Sequence, residues 1–240
     1  MNVLIVLPTY NEAVNILLMM PELLKLPSFV QICVVDDNSP DNTGQLADDW
    51  AAKDPRGHVL HRAGKLGLGT AYIAGFHYAF AHGFDAALTM DADFSHHPRY
   101  IPAMLAAFNT ADLVIGSRYV PGGDVLYPWH RRFLSKASNV VARTVLGLNA
   151  HDCTAGFRLY RVSVLQQVPL DRIFSNGYSF LTEMLTWMQA KGARIAEVPI
   201  VFEDRQYGVS KISTQEVFKG MWMVVRLAVR RVRGSKTVDQ

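Results

Sequence analysis

The chain reads as an α/β protein with a Rossmann-like, mainly parallel sheet flanked by helices, and three observations predict it. Short β-branched apolar runs alternate with helix-period segments through the first half, the pattern of a parallel sheet covered by helices. Polar residues collect directly behind the apolar runs, at Thr9-Tyr10-Asn11-Glu12, Asp36-Asp37-Asn38-Ser39 and Asp91-Ala92-Asp93. In open α/β sheets ligands bind at the carboxyl ends of strands, so these clusters are expected to line one crevice. Finally, 240 residues, half of them apolar, are enough for an ordinary buried core.

Taken in order, the apolar run Val3-Leu4-Ile5-Val6-Leu7 predicts a strand over 3–7, followed by a helix over 12–26. A second strand spans 30–35. The turn Asn38-Ser39-Pro40-Asp41-Asn42 then introduces a helix over 43–53, with Asp41 and Asn42 as its capping residues. Strands at 59–61, 86–90 and 113–115 alternate with helices at 70–82 and 98–108, and His96-His97 precede Pro98 as capping residues of the latter. After Arg118 the character changes: residues 119–130, rich in Gly, Pro and aromatics, read as a loop. Residues 131–146 read as a helix carrying Arg131, Arg132, Lys136 and Arg143. Strands at 154–161 and 193–202 enclose a helix at 180–191, and a last helix is expected over 214–232.

Composition excludes disorder, collagen-like repeats and a disulfide miniprotein, and no internal repeat or low-complexity segment is present. Cys33 and Cys153 stand in unrelated contexts without CxxC or Cys/His spacing, which suggests a reducing compartment and no zinc site. Met1-Asn2 leads straight into the first apolar run with no basic region, so no signal peptide is expected. The longest stretch free of Asp, Glu, Lys and Arg, 66–84, is interrupted by four glycines and two histidines and suits a turn and a buried helix better than a membrane span. The formal net charge is +3, but residues 211–240 hold seven basic and two acidic residues, which leaves −2 for residues 1–210. On a helix over 214–232, Phe218, Met221, Trp222, Val225, Val229 and Val232 fall on one side and Lys219, Arg226, Arg230 and Arg233 on another. That is the pattern of a helix lying in a bilayer interface, and packing of the stripe on the body of the protein is the alternative. The tail lacks interleaved stacking aromatics, so nucleic-acid binding is not expected.

Asp91-Ala92-Asp93 is the sharpest chemical signal. Two carboxylates at i and i+2 on a strand end are able to turn toward one divalent cation, Mg²⁺ or Mn²⁺, together with phosphates that the cation holds. A solvated turn before Pro98 is the plain alternative for this motif alone. Asp36-Asp37 behind an apolar strand suits ribose hydroxyls or base N–H groups, since a carboxylate pair repels phosphate. Lys65-Leu66-Gly67-Leu68-Gly69-Thr70 is either a phosphate cradle at a helix start or a simple strand–helix turn. It is no dinucleotide fingerprint, because Tyr72 stands where Gly or Ala is required. Basic residues recur at Gly116-Ser117-Arg118, His130-Arg131-Arg132, Phe157-Arg158 and Arg205 to Lys211; several of them in one crevice with a metal would neutralise two anions. No Ser or Cys is paired with His in the manner of a nucleophile.

These segments, in order and over roughly residues 2–213, resemble the family-2 glycosyltransferases of GT-A fold, and within them the dolichol- or polyprenol-phosphate mannose synthases. Leu7-Pro8-Thr9-Tyr10-Asn11-Glu12, Val34 to Asp41 and Met90-Asp91-Ala92-Asp93 carry the broad resemblance. Gly67 to Tyr72 also matches, and Gly116-Ser117-Arg118-Tyr119, Thr154-Ala155-Gly156-Phe157-Arg158 and Tyr207-Gly208-Val209-Ser210-Lys211 point toward a lipid-phosphate acceptor. The resemblance implies that Pro8, Tyr10, Glu12, Val35 and Asp37 bind the nucleoside, and that Asp91, Ala92 and Asp93 bind the diphosphate and metal, with Asp93 the main ligand. The family often has Gln where this chain has Ser95, so the metal shell is expected to use the shorter hydroxyl or a water. Arg118, Arg131 and Ser135 are implied to hold the lipid phosphate, and Arg205 and Lys211 to close over the donor diphosphate. Glu203 departs from the commoner apolar residue and is expected to pair with Arg205.

The implied activity is metal-dependent, inverting transfer of mannose from GDP-mannose to a polyprenyl or dolichyl monophosphate. Residues 1–212 would form the catalytic domain and residues 213–240 the interfacial foot, at the cytoplasmic face of a membrane, with a separate membrane protein as a candidate anchor. A UDP-hexose donor, such as UDP-glucose, is the alternative within the fold; a non-catalytic nucleotide-sugar binding module is the alternative outside catalysis.

Overall fold

A computed structural model describes residues 1–126, 129–175, 177–203 and Arg226, the side chains of His130, Arg131 and Tyr178 excepted. The chain runs β1 (Val3–Thr9), α1 (Ala13–Leu23), β2 (Val30–Asp36), α2 (Thr43–Ala51), β3 (Gly57–His61), α3 (Leu68–Ala81) and β4 (Ala86–Thr89). A 3-10 turn, Pro98–Tyr100, then leads into α4 (Ile101–Ala107) and β5 (Leu113–Ser117). The second half comprises β6 (Asp124–Val125), α5 (Trp129–Leu146), β7 (Arg158–Arg161), α6 (Val162–Leu165), α7 (Tyr178–Ala190), β8 (Ile195–Pro199) and β9 (Val201–Phe202). Among the described residues, seven strands make one sheet in the order β3-β2-β1-β4-β7-β5-β8, and β6 with β9 makes a small parallel ribbon.

The ladder is parallel except at β7, which runs antiparallel to both β4 and β5. Strands β1 and β2 are apolar along nearly their whole length because both faces are covered, as parallel sheets require. Successive side chains alternate sides. Leu4 and Val6 join Val35, Phe76, Tyr160 and Phe180 in the layer under α3 and α7, while Val3, Ile5 and Leu7 join Met19, Ile101 and Met104 under α1 and α4. Helix α3 rides very close to β1. A Cβ built on Gly75 would lie 2.2 Å from Val6 Cγ1, so only hydrogen fits there. Gly75→Ala is expected to destabilise the fold by about 1–3 kcal/mol through overpacking, read from the urea midpoint. Combining it with Val6→Ala should recover part of the loss; a neutral single variant would contradict the close packing.

Two predicted strands are shorter than the apolar pattern suggests. The strand expected over 154–161 begins only at Arg158, because the backbone N–H groups of Thr154 and Ala155 donate to the Asp152 carboxylate instead of to a ladder. The strand expected over 193–202 divides into β8 and β9 at Ile200, where the chain passes from its pairing with β5 to a pairing with β6. Asn42 sits in the left-handed region at φ +66° with no side-chain capping bond, so the capping role expected for it falls to Asp41, which accepts from Thr43 N–H. The helix expected over 214–232 lies outside the described residues apart from Arg226, whose guanidinium sits 4.1 Å from the Phe174 ring centre.

Candidate active site

The ends of β1, β2, β4 and β5 open onto one edge of the sheet. Because β7 is antiparallel, its beginning, and with it residues 152–157, reaches that same edge. The sequence clusters therefore converge, including one that an all-parallel sheet would have placed at the far end.

On the β1/β2 side the two adjacent aspartates do different work. Asp36 is buried and accepts from Thr9 Oγ1 at 3.0 Å and from the Ser39 N–H and hydroxyl, so it holds the turn together and is not a ligand group as expected. Asp37 donates its N–H to the Thr9 carbonyl and sets its carboxylate 2.9 Å from Arg62 Nη1. Burial raises the Asp37 carboxyl above the ordinary aspartate value, with Arg62 pulling partly the other way. Arg62, which sequence reasoning passed over, is itself oriented by Thr70 Oγ1 at 2.6 Å. Glu12 donates its N–H to Thr43 Oγ1 and accepts from Asn15 Nδ2 at 2.5 Å. Tyr10 presents its ring to Lys65 Nζ at 4.4 Å, and Pro8 is half-buried beside them. Val35 is wholly inside the core, so only its main chain is available to a ligand. Gly67 takes φ +101° to enter α3, but Gly69 is required by packing, since a Cβ there would meet Phe180 at 2.7 Å. The turn reading of this segment accounts for both glycines.

Behind β4 the acidic pair is built into a tightly bonded loop. Asp91 is about one-third exposed, accepts from the Tyr72 hydroxyl at 3.3 Å and donates its N–H to His96 Nδ1 at 2.9 Å. Asp93 is almost fully buried and accepts at Oδ1 from Ser95 N–H at 3.1 Å and Ser95 Oγ at 2.6 Å. Ala92 between them is buried, and Phe94 adopts φ +64°, an uncommon conformation for an aromatic residue that turns the loop back on itself. His96 does not cap the next helix as expected. It is buried against Phe157, ring centres 5.2 Å apart, and burial lowers its pKa so that Nδ1 remains an acceptor. His97 does cap, taking the Arg99 N–H at 3.1 Å. Burial and then the neighbouring Asp91 carboxylate push the Tyr72 phenol well up, which keeps it a donor to Asp91.

Behind β5, Arg118 forms a two-pronged pair with Asp152, Nε–Oδ2 at 2.6 Å and Nη2–Oδ1 at 2.7 Å, and also reaches Thr154 Oγ1 at 2.7 Å. Burial alone would raise the fully enclosed Asp152 carboxyl; the Arg118 fork and the N–H groups of Arg118 and Thr154 outweigh it and hold it below the usual range. Asp152 was missed because a lone Asp before Cys153-Thr154 carries no spacing signal. Tyr119 donates to Ser135 Oγ at 2.6 Å. Arg118, Tyr119, Asp124, Arg132 and Lys136 line a cavity of about 290 Å³, in which Arg132 Nη2 pairs with Asp124 at 2.7 Å. Arg132 is thus a half-exposed residue of the cavity wall.

The remaining cations divide. Arg131 lies on α5, its side chain outside the described residues, as are Arg205 and Lys211. Arg158 does not enter the crevice as expected: it is fully buried and donates to the Leu181 and Cys153 carbonyls, a fold-holding role. Glu203 accepts from Arg99 Nη2 at 2.8 Å, and the pairing with Arg205 expected for it falls outside the described residues. Among the described residues no group of three His, Cys, Asp or Glu side chains surrounds a metal position. The chain itself would therefore offer Asp91 and Asp93, all-oxygen donors suited to a hard divalent cation, with diphosphate oxygens and water left to complete the shell.

Comparison with known proteins follows the same lines. The family model described as Glycosyl transferase family 2 matches residues 4–168. The polyprenol monophosphomannose synthase of Mycolicibacterium smegmatis is 45% identical over 239 residues, covering 96% of this chain and 90% of that protein. The undecaprenyl-phosphate mannosyltransferase of Micrococcus luteus is 48% identical over 214 residues, 89% of this chain and 88% of that one. Among solved structures, glucosyl-3-phosphoglycerate synthase from Mycobacterium tuberculosis, in complex with Mn²⁺, UDP and glucosyl-3-phosphoglycerate, aligns with a TM-score of 0.66 at 21% identity over 96% of this chain and 79% of that one. Mannosyl-3-phosphoglycerate synthase from Rubrobacter xylanophilus aligns with a TM-score of 0.67 at 20% identity over 100% and 76%. The structural likenesses establish the GT-A fold.

Proposed function

Because the chain belongs to glycosyl transferase family 2, we propose that it is a polyprenol-phosphate mannose synthase, moving mannose from GDP-mannose to the phosphate of a membrane polyprenol. The observation that carries this reading is the joining, at one sheet edge, of the Asp91/Asp93 pair with the cationic cavity of Arg118, Arg132 and Lys136. An enzyme that joins a nucleotide sugar to a phosphate needs room for two anions side by side. The relatives at 45% and 48% identity both carry mannosyl transfer to a polyprenol in their names, which favours mannose over a UDP-hexose and an enzyme over a binding module.

Asp37, with Arg62 behind it, would receive the base or ribose, and Tyr10 and Glu12 the rest of the nucleoside. Asp91 and Asp93 would hold the divalent cation, Mg²⁺ or Mn²⁺, which when bound supplies positive charge against the leaving diphosphate. Tyr72 and Ser95 hold the two carboxylates in place beforehand and His96 holds the Asp91 main chain, so little reorganisation is needed at the moment of reaction. The acceptor requires no general base, because a phosphate monoester oxygen is already anionic near neutral pH. That oxygen would attack the anomeric carbon as the bond from that carbon to the diphosphate breaks, inverting the configuration with no proton to move. Arg118, Arg131, Arg132, Lys136 and Ser135 would restrain the acceptor phosphate, while Arg205 and Lys211 are proposed to close over the donor. Residues 1–212 form the catalytic domain in this reading, and it works at the cytoplasmic face of a membrane.

The test is direct. With Mg²⁺ or Mn²⁺ and undecaprenyl phosphate, labelled GDP-mannose is expected to yield labelled, solvent-extractable lipid, and UDP-glucose in parallel is expected to yield none. Labelled lipid from UDP-glucose alone would reverse the donor assignment; none from either would refute the reading.

A further inference from the structure

The ring of Phe202 stands where the two sides of the site approach each other. Its stretch of main chain is fixed from two directions. Leu126 N–H donates to the Phe202 carbonyl at 3.0 Å beside the β6–β9 ribbon, and the Val201 N–H donates to the Tyr100 hydroxyl at 3.0 Å. The half-buried Phe202 side chain then meets one residue from each side. It packs against the His96 ring at 72°, centres 5.5 Å apart, and its own centre lies 5.5 Å from the Arg118 guanidinium carbon. His96 is in turn stacked on Phe157 and accepts the Asp91 N–H at 2.9 Å, while Arg118 is forked onto Asp152. A continuous line of contacts therefore runs from the Asp91 main chain through His96 and Phe202 to Arg118 in the cavity wall.

We propose that Phe202 is a positioning residue for the transfer, one that acts through His96 and Arg118 to fix the acidic loop and the acceptor-side arginine relative to each other. This rests on the reading of the site given above. Transfer between two anions depends on the separation of the attacking oxygen and the carbon it attacks, and a misplacement of about 1 Å is enough to cost about a hundredfold in rate. An aromatic ring suits the task, since a ring pair and a cation over a ring face each favour a narrow range of arrangements. Each side also keeps anchors of its own. Asp152 and Thr154 hold Arg118, and Tyr72 and Ser95 hold the Asp91 and Asp93 carboxylates. Loss of the ring should therefore leave each substrate's binding largely intact and disturb their mutual placement, which appears in kcat and not in KM. Phe202 also lies three residues before Arg205 in sequence, at the root of the stretch proposed to close over the donor.

Phe202→Leu keeps an apolar side chain without the ring, and Phe202→Tyr keeps the ring. With GDP-mannose and undecaprenyl phosphate, Phe202→Leu should lower kcat by roughly 10- to 100-fold while both KM values stay within about threefold of the parent, and Phe202→Tyr should restore most of kcat. A second readout does not depend on turnover. GDP with Mg²⁺, titrated into the nitrogen-15-labelled full chain, should move the Arg118 Nε–H signal, and the movement should shrink in Phe202→Leu. A kcat in Phe202→Leu within about threefold of the parent, a loss confined to KM, or a Phe202→Tyr protein as slow as Phe202→Leu overturns the proposal. So does an Arg118 signal that moves equally in both proteins or not at all in the parent. A Phe202→Leu protein that does not fold gives the ring a fold-holding role and overturns it too. If the folded parent transfers no mannose to the lipid phosphate, the reading of the site fails, while the Arg118 signal still decides whether Phe202 links its two sides.

Discussion

Asp93→Ala is expected to lower mannosyl transfer by about a thousandfold, because in the proposed reading Asp93 would be the principal anchor of the charge that meets the leaving diphosphate. Its fold should survive. The lost carboxylate frees the N–H and hydroxyl of Ser95, a cost of about 1–3 kcal/mol if both stay buried. Turnover and thermal unfolding measured on the same preparation separate the two effects. Ser95→Ala is the informative companion: it deletes one donor to Asp93 and keeps the carboxylate, so a loss much smaller than that of Asp93→Ala is expected. Turnover of Asp93→Ala within about tenfold of the parent would remove Asp93 from the site, since that is less than a single preorganised electrostatic group usually contributes.

Asp152→Ala should have the largest effect on stability, about 3–5 kcal/mol, because it leaves the Arg118 guanidinium without its buried counter-charge. It also strips the acceptor from the N–H groups of Arg118, Thr154 and Ala155 together. Denaturant midpoints read the effect, with Asp152→Asn intermediate because it keeps the shape and part of the bonding. The same group sets an acid limit. Its folded pKa is lowered from 3.8, so the stabilisation is fully present above that value and is lost as pH falls below it through the folded pKa. The variant should accordingly show a shallower loss of stability over that acid range than the parent does. A variant as stable as the parent would mean that Arg118 has another partner of equal worth.

Much of the donor side was legible in the sequence, since it depends on local patterns. Apolar runs placed β1, β2, β4 and β5 within a few residues, and the polar residues behind them fell on one edge as a parallel sheet demands. What was not legible depends on contacts distant along the chain. Asp36 and Asp37 look alike in sequence, yet one turns inward to Thr9 and Ser39 while the other meets Arg62. Arg158 was read with the crevice cations because a basic residue rarely lies in a core; here the carbonyls of Leu181 and Cys153, from different parts of the chain, satisfy it. The outward face of α5 was hidden by its composition, since 131–146 reads simply as a basic helix until burial shows that Asn139 points inward and Phe133 outward.

The reversed direction of β7 also sets an order of events during synthesis. Until β7 emerges, β4 is the bare edge of the β3-β2-β1-β4 half-sheet, and the β5–β8 half has no described ladder to it. About 70 residues separate the two partner strands, several seconds of ribosomal elongation at typical rates. The β3-β2-β1-β4 half is thus complete on paper before the wall that faces it exists, and β7 is the bolt that closes the sheet late. A nascent chain stalled in that interval presents β4, a strand buried throughout in the finished fold, with one edge unpaired, which makes this the window in which the protein most needs a chaperone.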